Sequence, residues 1–303
     1  MTKMFEPNKL FLENYQNERR IKRQSIIKKI EEITNRKLIV YTASFQHPAG
    51  SIQKQEIPII EDLLASVSES KNKSIDLMMH SPGGELGATE KILQMIRERF
   101  DNFRMIVPNQ AKSAATMLGL GSDEILMGYL SELGPIDPQI LKTLPNGTFI
   151  FIPAHALINT LEHIKNQIRN NEPYQVYMPI LSNIEPEMID ICQKAISESS
   201  EVAEQWLKKY MLRGYPEEAI KKVVEDLGST KVYKTHGKMI SAVQAKSMGL
   251  NVTLIDKEDT LWKLIWELYY RSEIELEEKP SVVKLFETAN SSVNITVAQQ
   301  IIK

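Results

Sequence analysis

The sequence has one cysteine, Cys192, among its 303 residues. A single thiol excludes a disulfide framework, and it also excludes a zinc site built from paired cysteines. The histidines His47, His155 and His163 show no metal-ligand spacing with Cys192, so we expect no metal site. A dinucleotide-binding fingerprint is also missing, and we expect the protein to work without a cofactor.

Long hydrophobic runs are missing as well. No apolar stretch approaches the roughly 18 residues that span a bilayer, so no integral membrane segment is predicted. The N-terminal residues contain no apolar signal-peptide core. The formal net charge of −2 argues against a general nucleic-acid or anionic-membrane surface. These features predict a cytoplasmic protein, and an apolar fraction of 42% is enough for a sizeable core.

Apolar runs of strand length alternate with amphipathic helical segments along the chain. Continuous apolar runs are typical of parallel strands buried on both faces, so the pattern predicts an α/β fold. We predict an N-terminal helical arm over 1–36, a catalytic core over 37–256, and a C-terminal helix and tail over 257–303. The tail is expected to form an edge hairpin or an oligomer arm.

Three helices carry specific expectations. A charged helix over 13–35 has an isoleucine stripe that is expected to lie against its own domain or a sister subunit. The alternative interpretation of this helix is a basic arm for a partner or nucleic acid. A small-residue helix is predicted over 111–120, and a long helix over 185–213 is expected to end at Gly214. The stripe of the first helix consists of Ile21, Ile26, Ile27, Ile30 and Ile33.

The stretch from Ser74 to Gln139 predicts the functional site. Its first strand ends in a Ser-Pro-Gly-Gly turn, whose glycines Gly83 and Gly84 allow backbone N–H groups to approach a ligand closely. Its second strand precedes the small-residue helix, and Ser113 lies at the start of that helix, among unpaired N–H groups. The turn and the serine therefore predict an oxyanion hole and a nucleophile at neighbouring strand ends. The alternative interpretation of Ser113 is a small residue that caps the helix.

The ordered motifs HSPGG, AKSAAT, DEILMG and SELGPIDPQ are similar to those of the ClpP/crotonase superfamily. They resemble most closely the serine dehydrogenase proteinase family, which is related to signal peptide peptidase SppA. The resemblance covers roughly Leu38 to Val252. It implies a spiral of ββα units with added N- and C-terminal helices, and an acyl-enzyme on Ser113. The implied oxyanion donors are the N–H groups of Gly84, Gly83 and Ala114.

The catalytic base is the open question, because an unassisted serine hydroxyl is a weak nucleophile. In ClpP-like proteins a histidine follows the serine by about a strand and a turn, and an acid lies before the last helix. The resemblance places Asp137 and His236 at these positions, so the acid and the histidine look exchanged. A triad of Ser113, His236 and Asp137 is our first hypothesis, since triads are recognised by roles and not by chain order. The alternative is that Asp137 and His236 only stabilise turns.

A Ser/Lys dyad of the kind that SppA relatives use is the second hypothesis. Lys165 follows Ser113 by 52 residues, a separation compatible with that dyad, although its helical position is typical of an exposed lysine. Lys142 is a further candidate. Lys112 adjoins Ser113, but adjacent side chains on a helix point about 100° apart, so we expect Lys112 to support the site and not to act as its base. His80, before the glycine turn, is a second expected supporting residue.

Together these features predict a serine-type peptidase that cleaves peptides, unfolded proteins or membrane-derived proteins and works as a homo-oligomer. One alternative is a crotonase-fold enzyme that acts on an acyl-CoA thioester without a serine nucleophile. Another is an inactive subunit that serves as an oligomeric scaffold or regulator, since the histidine is missing from its usual place.

Overall fold

A seven-stranded mixed sheet forms the centre of the protein. The computed structural model describes residues 7–67, 73–144, 147–228 and 237–298. Five strands run parallel, and two antiparallel strands extend one side of the sheet. In spatial order they are β10 (Val252–Leu254), β5 (Glu124–Met127), β3 (Asn102–Val107), β2 (Ser74–His80), β1 (Lys37–Ala43), β11 (Val282–Glu287) and β12 (Ser292–Thr296).

Helices cover both faces of this sheet, which explains why its strands carry apolar residues without alternation. Strand residues such as Leu77 and Met105 pack on one face against α2 (Ile57–Val67), α3 (Leu86–Arg99), α4 (Ala114–Leu120), α7 (Pro186–Lys209), α8 (Glu217–Gly228) and α9 (Ala242–Ser247). Their neighbours Met78 and Ile106 pack on the other face against α1 (Pro7–Thr34) and α10 (Thr260–Glu278). The α/β class predicted from the sequence is confirmed.

Two smaller sheets lie beyond the ends of the parallel strands. The first joins β4 (Gln110–Ala111), β6 (Glu132–Leu133) and β9 (Ile240–Ser241). The second is a hairpin of β7 (Gln139–Thr143) and β8 (Phe149–Pro153), followed by α5 (Ala154–Arg169) and the short α6 (Met178–Leu181). Among the described residues, no helix combines the length and apolar composition that crossing a bilayer requires.

Two expectations about the bounds of helices were wrong. The helix after Ser113 begins at Ala114 because the preceding residues pair with β6 as β4. The long helix α7 ends at Lys209, where Tyr210 leaves the helical conformation (φ −121°, ψ −92°), and not at Gly214. The central members of the isoleucine stripe on α1 face the sheet, whereas Ile21 and Ile33 at its two ends are exposed in the single chain.

The C-terminal tail forms the hairpin of β11 and β12, and β11 continues the large sheet beside β1. Every residue of β11 is buried, so this strand belongs to the core and only β12 lies at the edge. The domain boundaries at 36/37 and 256/257 stay predictions.

Candidate active site

Ser113 occupies a strained turn between β4 and α4. Its backbone adopts φ 51° and ψ −119°, a region that side-chain-bearing residues rarely enter and that costs on the order of 1–3 kcal/mol. The turn is held on both sides, because Lys112 donates its N–H to Ser81 O (3.0 Å) and Met117 donates its N–H to Ser113 O (3.0 Å). Such a turn projects the side chain out of the strand-to-helix junction.

The hydroxyl of Ser113 does not serve as a helix cap. Ser113 is the residue before α4, but its side chain makes no capping hydrogen bond. The side chain is half-buried, and α4 behind it is buried throughout. The N–H of Ala114 opens the helix and has no intrahelical acceptor, so it stays available to a ligand.

The glycine turn lies directly against Ser113. A Cβ atom placed on Gly83 would come within 2.8 Å of Ser113 Cβ and 3.0 Å of Ala114 N. Gly83 (φ 94°) and Gly84 (φ 154°) both adopt backbone conformations that favour glycine. The structure therefore brings together Ser113, Ala114 and the two glycines.

The two glycine N–H groups are not equivalent. Gly83 is buried, and its N–H donates to Ser81 Oγ (3.2 Å). Gly84 is exposed and lies beside Ile52, whose N–H donates to Gly83 O (2.7 Å) and whose carbonyl accepts from Glu85 N (2.9 Å). These two bonds involve the carbonyl of Gly83 and the N–H of Glu85, the residues on either side of Gly84. The N–H of Gly83 is therefore already engaged by Ser81, whereas the N–H of Gly84 itself points away from Ile52.

Lys112 points away from the Ser113 hydroxyl. Its ammonium group forms a buried ion pair with Glu132 (2.9 Å) and donates to Leu133 O (3.2 Å). The aliphatic part of its side chain packs against Gly134. Lys112 therefore ties β4 to β6 and supports the turn that carries the serine.

Asp137 is buried in the loop that leaves β6, the strand that pairs with β4 just before Ser113. The charge of Asp137 acts on His155, in the first turn of α5. Burial lowers the pKa of His155 below its ordinary value, and the negative charge of Asp137 partly opposes this shift. The hairpin explains the pairing: Gln139 pairs with Pro153, and Ala154 N donates to Pro138 O (2.9 Å), so the chain on either side brings Asp137 and His155 together.

The remaining candidate bases are placed differently. His236 lies outside the described residues. Lys165 is exposed on α5, about 15 Å along the helix from His155. Lys142 is exposed on β7.

His80 belongs to a cluster on the opposite face of the sheet. Its ring lies between Phe45 (4.7 Å) and Tyr269 (5.0 Å), measured between ring centroids. Burial lowers the pKa of His80 to about 3, so the ring is neutral even though Glu273 Oε1 lies 3.7 Å from its Nε2 atom. The Nδ1 atom accepts from Gln110 N (3.2 Å), which links His80 to β4 just before the serine turn.

Sequence reasoning did not connect His155 with Asp137, because it considered this residue only for metal-ligand spacing with Cys192. An Asn-Gly sequence between two strands is typical of a hairpin, but it does not by itself fix the register. The observed register pairs Gln139 with Pro153, and continuing it sets Asp137 opposite His155. Within the described ranges, no group of three His, Cys, Asp or Glu residues is arranged to hold a metal ion.

Comparison with known proteins gives a family for nearly the whole chain. Residues 9–292 match the family described as ClpP-like SDH-type serine proteinase. Two uncharacterized proteins of Methanocaldococcus jannaschii, MJ0137 and MJ1495, are 29% and 28% identical over 193 residues, or 63% of this chain. The match spans 58% and 56% of the length of these two relatives.

Among solved structures, ClpP1 from Listeria monocytogenes is 14% identical to the chain with a TM-score of 0.41. A point mutant of that ClpP1 is also 14% identical, with a TM-score of 0.38. In both cases the match covers 76% of this chain and 98% of the other.

Proposed function

Because the chain belongs to the ClpP-like SDH-type serine proteinase family, we propose that it is a serine peptidase that cleaves polypeptides through an acyl-enzyme on Ser113. The observation that carries this proposal is the strained backbone of Ser113, packed directly against Gly83. A residue with a side chain adopts such a conformation only where the surrounding structure imposes it, and such strain is concentrated at functional sites.

In the proposed reaction, Ser113 Oγ attacks the carbonyl carbon of the scissile peptide bond while its proton passes to a base. The carbonyl oxygen becomes negatively charged and accepts hydrogen bonds from the N–H groups of Gly84 and Ala114. The base then protonates the leaving amine, and the C–N bond breaks to give the ester on Ser113. Water, deprotonated by the same base, hydrolyses the ester and restores the hydroxyl.

For the base we propose a histidine oriented by Asp137, and among the described residues His155 is the candidate. The support is the charge interaction between Asp137 and the His155 ring. Asp137 follows β6, which pairs with the β4 segment that leads into Ser113. Burial lowers the pKa of His155, which keeps its ring neutral and able to accept a proton at pH 7. His236 remains the competing histidine, and the exposed Lys165 is the candidate of the dyad hypothesis.

We also propose that the protein works as a homo-oligomer on polypeptide substrates in the cytoplasm. The support for assembly is the exposed apolar surface of the β7–β8 hairpin and the segment after α5, with Phe151 and Val176 more than half exposed (66% and 64%). Surfaces of this kind mark protein–protein contacts. A polypeptide substrate is the expectation that the family description carries.

The deciding experiment uses a fluorophosphonate probe and a set of unfolded or short peptide substrates. We expect the wild-type protein to be labelled once, and Ser113→Ala to lose both labelling and hydrolysis. Labelling that persists in Ser113→Ala contradicts the nucleophile assignment.

A second set of variants identifies the base. His155→Ala, His236→Ala and Lys165→Ala are compared for labelling rate and for its pH dependence. We expect His155→Ala to lose about 100-fold or more in rate, as general bases contribute 10²–10⁴-fold, and the other two variants to stay near the wild type. The opposite ranking of the two histidine variants would move the base to His236.

A further inference from the structure

A buried polar network joins the glycine turn to the C-terminal strand β11. The ammonium group of Lys284 pairs with Glu56, and the other carboxylate oxygen of Glu56 accepts from the Tyr41 hydroxyl (2.8 Å). The Ser81 side chain lies near that hydroxyl and acts to lower the pKa of Tyr41, against the larger effect of burial. All four residues are at most 2% exposed. The network therefore extends from Lys284 on β11 to Ser81, the first residue of the Ser-Pro-Gly-Gly turn.

The network holds this turn at two points. At the first, Ser81 Oγ accepts the N–H of Gly83 (3.2 Å). At the second, Lys284 Nζ donates to Ser51 O (2.6 Å), and the next residue, Ile52, bridges the backbone on either side of Gly84. Gly83 and Gly84 are thus restrained through both the turn itself and the strand-like segment beside it.

Burying the charged groups of Glu56 and Lys284 costs free energy, so stabilising the fold is a poor explanation of the network by itself. Burial raises the pKa of Glu56 and lowers that of Lys284, because both charges have left water. Replacing a buried ion pair by apolar residues is often neutral or stabilising, so a buried pair is weak evidence of a stabilising purpose. A turn of two glycines, by contrast, has little conformational preference of its own and needs external restraint. A donor that stabilises a transition state must be held within about 0.5 Å of its productive position.

We propose that Tyr41, Glu56 and Lys284 are positioning residues that fix the N–H of Gly84 in the orientation required to stabilise the oxyanion. This inference rests on the proposed peptidase function, and it adds that the C-terminal strand β11 controls the geometry of the active site. The three residues touch neither substrate nor Ser113 and act only through Ser81, Ser51 and Ile52.

The test compares Tyr41→Phe and Glu56→Gln with a matched control, Glu287→Gln. Glu287 is also a fully buried carboxylate in an ion pair on β11, but its partner is Arg23 (2.7 Å) on the opposite face of the sheet. Tyr41→Phe removes one hydroxyl and keeps the edge-to-face contact with Phe286 (4.7 Å), so it is the variant least prone to unfold.

The first measurement is amide hydrogen exchange in peptides that cover residues 81–85, which requires no activity. We expect exchange at Gly83 to rise about tenfold or more in Tyr41→Phe and Glu56→Gln, because its acceptor Ser81 loses its own restraint. The Glu287→Gln protein is expected to exchange like the wild type in this segment. Unchanged exchange in both network variants overturns the proposal, and so does an equal rise in Glu287→Gln.

The second measurement separates binding from chemistry through the concentration dependence of fluorophosphonate labelling. In the network variants we expect the maximal labelling rate to fall about tenfold or more while the half-saturating probe concentration changes less than about twofold, since the donors act on the transition state. An unchanged maximal rate contradicts the positioning role. A wild-type protein that resists the probe and cleaves no peptide would refute the proposed function, whereas the exchange data would still decide whether the network restrains the turn.

Discussion

The backbone of Gly84 meets two local conditions that a residue with a side chain could not satisfy. Its φ of 154° lies in the region that favours glycine, and a Cβ atom there would be 2.3 Å from the backbone N and O of Ile52. We expect Gly84→Ala to push the turn away from Ile52 and to reduce fluorophosphonate labelling about 100-fold or more, as the loss of an oxyanion donor does.

The matched control for this prediction is Gly87→Ala. Gly87 lies in α3, and its nearest contact for an added methyl group is the flexible end of Lys54 at 3.9 Å. Alanine in a helix is favoured over glycine by about 1 kcal/mol, so this variant should be as active as the wild type and slightly more stable. Equal labelling of the two variants would show that the Gly84 backbone has no part in the reaction.

Glu273 makes the stability of the protein depend on pH. Burial, with a smaller contribution from Glu277, raises the pKa of Glu273 from 4.5 to about 7, and its Oε1 atom is buried without a hydrogen-bond partner among the described residues. A carboxyl group whose pKa is raised on folding favours the folded state only while it is protonated. Its ionisation therefore destabilises the protein as the pH rises from 4.5 to about 7.

We accordingly expect Glu273→Gln to be more stable than the wild type at pH 8 by about 2–3 kcal/mol. At pH 4 Glu273 is protonated in both states, and the two proteins should be equally stable. Urea unfolding at both pH values measures the difference, and Glu277→Gln, at an exposed neighbouring carboxylate, is the control. The same difference at pH 4 and pH 8 would mean that the effect of Glu273→Gln does not arise from titration.

At the level of elements, the docking of α1 depends on a buried charge cluster. Arg23 is buried and pairs with Glu287 on β11 (2.7 Å) and with Glu275 on α10 (3.2 Å). Arg23→Ala leaves two buried carboxylates without this partner, and we expect it to destabilise the protein by about 3–5 kcal/mol.

The same helix supplies the control for that prediction. Arg19 pairs with the exposed carboxylate of Glu278, and exposed pairs contribute little, so Arg19→Ala should leave the unfolding midpoint nearly unchanged. Denaturant unfolding followed by circular dichroism gives both values. If both variants lose the same stability, the docking of α1 does not depend on the buried cluster.

The sequence predicts elements whose order follows from local pattern and misses those that depend on pairing at a distance. The alternation of apolar strands and amphipathic helices follows from local pattern, and the structure confirms the α/β fold that it predicts. Ala111 shows the limit, since its small side chain suits a helix but pairing with Leu133 draws it into β4.

The same reasoning explains the outcome at the site. The sequence predicts the contact between Ser113 and the glycine turn, because the ends of neighbouring parallel strands meet at one edge. The pairing of Asp137 with His155 depends on the register of a hairpin, and the network of Glu56 with Lys284 joins residues far apart in the chain. Neither the Asp137–His155 pairing nor the Glu56–Lys284 ion pair can be read from the local sequence pattern around these residues.

For the whole molecule, the sheet separates two regions with different chemistry. Ser113, the glycine turn and the network of Lys284 lie with the helices α2–α4, whereas His80, Glu273 and the Arg23 cluster lie with α1 and α10. The strand β11 contributes a buried charge to each region, Lys284 to one and Glu287 to the other. The C-terminal hairpin therefore connects the candidate active site to the helices that cover the opposite face.

The exposed apolar hairpin leads to a prediction about assembly. Leu141 and Phe151 pair across β7 and β8, and both are more than half exposed. Burying such side chains between subunits would contribute roughly 1.5–3 kcal/mol each. We expect the wild-type protein to be oligomeric by light scattering at micromolar concentration and the double variant Leu141→Glu, Phe151→Glu to dissociate.

The control is Tyr215→Glu, at an equally exposed aromatic residue between α7 and α8. This variant should assemble like the wild type. A monomeric wild-type protein, or a double variant of unchanged mass, would exclude the hairpin as the subunit interface.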